Sequence, residues 1–277
     1  VTRRLVVTAD DLGRDPATDA TVLGLLAAGR VTATTLLVVT PHAAAAAEAA
    51  TRLGVTPRLH VALTSEGGLP PWSPLSGAPS LHDGGGQLPA DPQVLDAHAV
   101  ETDVLAELDA QLAWMHERGL HPWGVDSHAG TLYGLAGRSW LGPALWWCGS
   151  AGLAFRLPRD LRPYLGGPPA PELARRHEAA VALADELGVP LPAAMLTNRR
   201  NAAELGDYEA LRDHLVAALD DLPDGVSELF LHPAEGLPGE AGRTRAWEAR
   251  LLRDPAWWDA VSRAGVELVH DWQDAHG

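Results

Sequence analysis

Four apolar runs of this chain end in, or enclose, side chains that could do chemistry. Leu5–Ala9 leads into Asp10 and Asp11, and Trp123-Gly-Val leads into Asp126-Ser127-His128. His60 lies inside Arg58–Leu63, and Leu229-Phe-Leu precedes His232-Pro233. Two adjacent carboxylates repel each other unless a cation or a proton lies near them. Strand alternation sets His60 and Ala62 opposite Leu59, Val61 and Leu63, and a polar ring on an inward face needs a partner. Each feature also has a plain reading: an Asp-Asp turn before Gly13, or a core histidine bonded to backbone. Their joint pattern points further. A carboxylate with two imidazoles is a usual ligand set for a divalent ion with an open position. One remaining aspartate and one remaining histidine could then serve as base and acid.

The elements that must position these groups follow from periodicity. Strands are expected at Leu5–Ala9, Thr34–Val39, Arg58–Leu63, Trp123–Asp126, Leu153–Leu157, Ala193–Thr197, Ser227–His232 and Val266–His270. Between them the apolar positions recur at helical spacing, as in Val100, Val104, Leu108, Leu112 and Met115. Further helices are expected over Pro16–Ala28, Pro41–Leu53, Trp140–Gly149, Pro171–Leu187 and Asp207–Leu219. Another covers Arg245–Ala264, with a break at Pro255. About eight strand-then-helix units call for a parallel sheet with helical crossovers. No dinucleotide or phosphate-loop fingerprint follows the first strand, which places a closed barrel ahead of an open doubly wound sheet. The expected fold is a single distorted, TIM-like (β/α) barrel over residues 1–277, with catalytic groups at the carboxyl ends of its strands.

The stretch Thr64–Pro92 breaks the rhythm, being rich in glycine and proline without apolar periodicity. Long connections of this kind are usually functional lids or disordered segments. It reads as a binding loop, with Trp72 as the candidate for stacking on a ligand. Among the other ionisable groups, His116, His177 and His214 suit the surface. Arg245 and Glu248, three apart on one helix, suit an exposed ion pair as well as a supporting role at the site.

The 277 residues hold 36 acidic and 21 basic side chains, for a net charge of −15, and every basic side chain is arginine. A field of that sign repels nucleic-acid backbones and anionic membrane surfaces. The single cysteine, Cys148, excludes an internal disulfide, and no apolar run approaches a membrane span. With no apolar leader core at the first residues, the expected compartment is the cytoplasm. Oligomeric state is left open, a homo-oligomer included.

The chain resembles the YdjC-like carbohydrate deacetylases, a family that includes chitooligosaccharide and hopanoid-associated deacetylases. The resemblance rests on Thr8-Ala-Asp-Asp-Leu-Gly13, Leu59-His-Val-Ala-Leu63, Asp126-Ser-His128 and Glu228-Leu-Phe-Leu-His-Pro233, in that order over nearly the whole length. It implies a metal-dependent hydrolase that removes N-acetyl groups from sugars. By resemblance Asp11, His60 and His128 would hold one zinc or magnesium ion, Asp10 would be the base and His232 the acid. Asp126 would orient an active-site histidine, while Glu66, Trp72 and Arg245 would support the site or face substrate. The chain departs from the family at Gly130, where many members carry a further histidine. Two other readings stand beside this one: an ester or phosphoester hydrolase at the same site, and a barrel that binds carbohydrate without turnover.

Overall fold

The computed structural model describes residues 2–273. They fall into two compact units. The first comprises the chain up to Thr34, Leu157–His177 and the chain from Leu191 onward; the second comprises Thr35–Arg156 and Glu178–Pro190.

In chain order the elements begin with β1 (Arg3–Leu12), α1 (Pro16–Ala27), β2 (Ala33–Leu36), α2 (Ala43–Arg52) and β3 (Arg58–Val61). Next come α3 (Pro92–His98), α4 (Glu101–His116), β4 (Gly124–Ser127), α5 (Leu141–Ala151) and β5 (Ala154–Phe155). After these lie α6 (Arg162–Leu165), α7 (Pro171–Leu187), β6 (Met195–Leu196), α8 (Ala202–Leu205) and α9 (Tyr208–Ala218). The last are β7 (Gly225–Leu231), α10 (Gly239–Arg253), α11 (Pro255–Arg263) and β8 (Glu267–Leu268).

In the first unit β1 pairs in parallel with β7, from Arg3 opposite Gly225 to Ala9 opposite Leu231, and β7 pairs with β6. β8 adds a short parallel ladder to β1. From Leu5 to Leu12 every residue of β1 is buried, as expected of a parallel strand covered on both faces. In the second unit the last residues of β2 pair with β3, β3 with β4, and β4 with β5, all parallel. The β3–β4 register sets His60 directly opposite Asp126.

The expected alternation of strands and helices is present, and the chain does break at Pro255, where Asp254 ends α10 and caps α11. Within each unit the strands run parallel and are flanked by helices, an α/β fold. No helix among the described residues is long and apolar enough to cross a membrane.

The turn after β1 is fixed by Asp15, the N-cap of α1. Its Oδ1 accepts the backbone N–H groups of Ala17 (2.9 Å) and Thr18 (3.0 Å), and Pro16 occupies the first helical position. Burial pushes the Asp15 carboxyl up. The hydrogen bonds from Thr18 and the Arg14 guanidinium outweigh this and hold it below its ordinary value. A depressed folded-state pKa contributes stability above the unfolded value, and that stability is lost as pH falls. Asp15→Ala should therefore cost about 0.5–2 kcal/mol at neutral pH. Urea unfolding at a series of pH values should show the gap to the unsubstituted protein closing below about pH 4.

Candidate functional site

The first unit brings together four of the expected residues. Extending the β1–β7 register beyond Ala9 and Leu231 puts Asp10 beside His232. His232 Nε2 stands 3.9 Å from Asp10 Oδ2, close enough for attraction and too long for a hydrogen bond. Asp10 is buried, whereas the His232 side chain keeps 34 % of its surface open to solvent. Asp11 is buried with a left-handed backbone, φ 72°, a conformation that aspartate tolerates better than most residues. That twist turns its carboxylate towards α10, where Arg245 donates to Oδ2 at 2.7 Å.

The spacing of Arg245 and Glu248 suits an exposed ion pair or a supporting role beside the site, and each side chain takes a partner other than its neighbour. Glu248 is buried, accepting the His232 backbone N–H at 2.7 Å and the Asn198 side-chain amide at 2.9 Å. Beside His232 lie the half-buried rings of Phe230, edge-on at 5.9 Å, and Tyr164, stacked on Phe230 at 6.5 Å. Sequence reasoning missed Tyr164; no local pattern marks a single tyrosine in a four-residue helix.

The second unit holds the rest. Asp126 is fully buried and takes three partners: His60 Nδ1, Arg156 at 2.9 Å and Arg58 at 3.3 Å. Burial alone would raise its pKa. The charges of Arg156, His60 and Arg58 outweigh that and hold the carboxyl well below the usual carboxylate range. The Asp126 Oδ1 to His60 Nδ1 contact orients the imidazole ring. A carboxylate on the far nitrogen is how metal-ligating histidines are usually oriented.

His128 follows on a single helical turn. Its ring lies 5.3 Å from that of His60, edge to face at 74°, and 5.3 Å from that of Trp72. Ala129 takes φ 50° and Gly130 φ 66° to make this turn. Where the family's further histidine would stand, a Cβ on Gly130 would meet Leu135 Cδ1 at 2.3 Å.

Trp72 is 1 % exposed, so its ring packs against His128. The glycine- and proline-rich loop that carries it is tied down. The Trp72 N–H donates to Ser65 Oγ (2.8 Å), its carbonyl accepts from Leu88 N–H (2.8 Å), and Ser65 Oγ donates to the Leu88 carbonyl (2.7 Å). Two buried residues of α4 complete the anchorage. Glu107 accepts the N–H groups of Leu75 and Ser76, and Gln111 exchanges two hydrogen bonds with the backbone of Ala62, just past β3. Glu66, half-buried at the start of the loop, accepts Leu69 N–H on its carbonyl. Nothing at Glu107 or Gln111 signals this role, because polar residues on a helix read as its solvent face.

A family profile described as YdjC-like protein matches residues 4–263. This chain belongs to the YdjC-like family. Its fold is similar to that of an Enterococcus faecalis V583 protein described provisionally as a cellobiose-phosphate cleavage protein. That likeness has TM-score 0.75, 23% identity and 97% coverage of both chains. A more distant likeness, with TM-score 0.46 and 11% identity, is to a family 4 carbohydrate esterase from Streptomyces lividans in complex with acetate. It covers 99% of this chain and 95% of the esterase. A search of curated proteins returns no match.

Replacing Asp126 by asparagine would leave two buried guanidiniums facing a neutral amide. Breaking a buried charge network in this way typically costs about 3–5 kcal/mol. Asp126→Asn should lower the urea midpoint accordingly, and more steeply than a conservative change at exposed Asp213 would.

Proposed function

We propose that this YdjC-like protein is a metal-dependent hydrolase that removes the N-acetyl group of an amino-sugar or chitooligosaccharide-like carbohydrate. In this reading residues 1–277 work as one catalytic domain. What carries it is family membership across residues 4–263, with Asp10 and Asp11 buried in one unit and His60 and His128 buried in the other, the side-chain types this chemistry needs.

Asp11, His60 and His128 are the proposed ligands of one divalent ion. The state of His60 fits that role: Asp126 occupies Nδ1, so the ring is oriented with Nε2 as donor. Two nitrogens and one carboxylate oxygen favour zinc or another transition ion over magnesium, which prefers oxygen. Bound there, the ion would supply Lewis acidity, polarising the amide carbonyl and lowering the pKa of the attacking water.

The remaining steps belong to the chain. Asp10, buried and flanked by Asp11, takes the proton of the attacking water. His232, partly open to solvent and 3.9 Å from Asp10, gives a proton to the departing amine. The C–N bond then breaks to acetate and free amine. Such proton transfers typically contribute about 10²–10⁴-fold each. A positioned acid favours an amide over an ester substrate, since an amine leaves poorly unless protonated. Arg245 holds Asp11 in its left-handed turn. Phe230 and Tyr164 offer an aromatic surface beside His232 for the sugar ring.

The test is acetate release from N-acetylglucosamine oligomers by metal-replete protein, with metal content measured on the same sample. Chelation should abolish release, and readdition of zinc should restore it. His128→Ala should lose both the bound metal and at least about 100-fold in rate. Unchanged turnover in that variant would refute the ligand assignment.

A further inference from the structure

We propose that Glu248 is a positioning residue for His232, and that one turn of α10 sets the acid of the reaction by holding its backbone. The inference rests on the deacetylase reading for what His232 does, and on the first unit alone for how it is held.

The observation is the way α10 grips the end of β7. Glu248 Oε2 accepts the His232 backbone N–H at 2.7 Å, and Arg245 NH1 approaches the His232 carbonyl at 3.5 Å. Two residues on, Ala234 N–H donates to the Arg245 backbone carbonyl at 3.3 Å. Pro233 further restricts the backbone of the residue before it. His232 is thus fixed at both of its peptide groups, and the ring retains only its side-chain torsions, with Phe230 edge-on against it.

Why a carboxylate stands there follows from counting donors. Glu248 is 3 % exposed, so its charge costs desolvation unless both oxygens are engaged. Both are: Oε1 takes the Asn198 side-chain amide at 2.9 Å while Oε2 takes His232. Asn198 in turn accepts Arg200 N–H at 3.0 Å on Oδ1 and so orients its amide group towards Glu248. A glutamine would supply one acceptor for two donors and point an NH₂ at one of them. The residue therefore joins the end of β6 to the end of β7 and fixes where the imidazole begins.

Glu248 touches neither substrate nor reacting atoms, so its effect should appear only where His232 is needed. An N-acetyl sugar needs a protonated leaving amine. 4-Nitrophenyl acetate does not, because its phenolate departs unaided. In holoenzyme, Glu248→Gln should lower kcat on the amide by about 10–100-fold, the usual range for a supporting residue. It should leave KM and bound metal within about 2-fold and the aryl ester rate within about 3-fold. His232→Ala should show the same selectivity, and the double variant should be no worse than His232→Ala alone. Hydrogen exchange of the His232 amide, which needs no activity, should speed up at least tenfold in Glu248→Gln. If that variant fails to fold, Glu248→Asp keeps the charge, withdraws it by one methylene, and should show the same pattern.

Equal losses on amide and ester, or a His232 amide whose exchange does not change, would overturn the proposal. Faster exchange in a protein that releases no acetate from any N-acetylated sugar would support the positioning role while removing the deacetylase reading.

Discussion

The second unit is organised around one carboxylate. Asp126 lies without solvent between Arg58, Arg156 and His60, so the strands that carry these residues cannot shift without separating charges in a poorly polarisable interior. That constraint fixes the β3–β4 register, the orientation of the His60 ring and, through the adjacent turn, the place of His128. Buried charge networks are weak contributors to net stability but exacting about arrangement. Here the arrangement holds the His60 ring in one orientation through its Nδ1.

The first unit solves a similar problem differently. Its chemistry-bearing residues lie at the ends of β1 and β7, and α10 reaches both: Arg245 to the Asp11 carboxylate, Glu248 to the His232 peptide. The helix can lie that close to the chain before it because Gly242 packs on the Leu237 carbonyl, 2.1 Å from where a Cβ would be. In each unit, charged side chains from a neighbouring element hold these groups in place.

How much of this was legible in the sequence depends on where the signal lies. Asp10, Asp11, Asp126, His128 and His232 stood out because an ionisable residue ending an apolar strand breaks a pattern. Arg58 and Arg156 did not, since an arginine beside an apolar run looks like a strand boundary. Glu107 and Gln111 were masked by helical periodicity, in which a polar residue counts as exposed until a tertiary partner is known. The same blindness made Trp72 look like a platform for ligand in a loose loop. Its ring is enclosed because Ser65, Leu88 and α4 fasten that loop, contacts separated by up to several tens of residues.

Gly130 limits what this turn can carry. A Cβ there would meet the Leu135 side chain at 2.3 Å and would have to keep φ near 66°, so any larger residue requires the exposed Leu135 to swing out towards solvent.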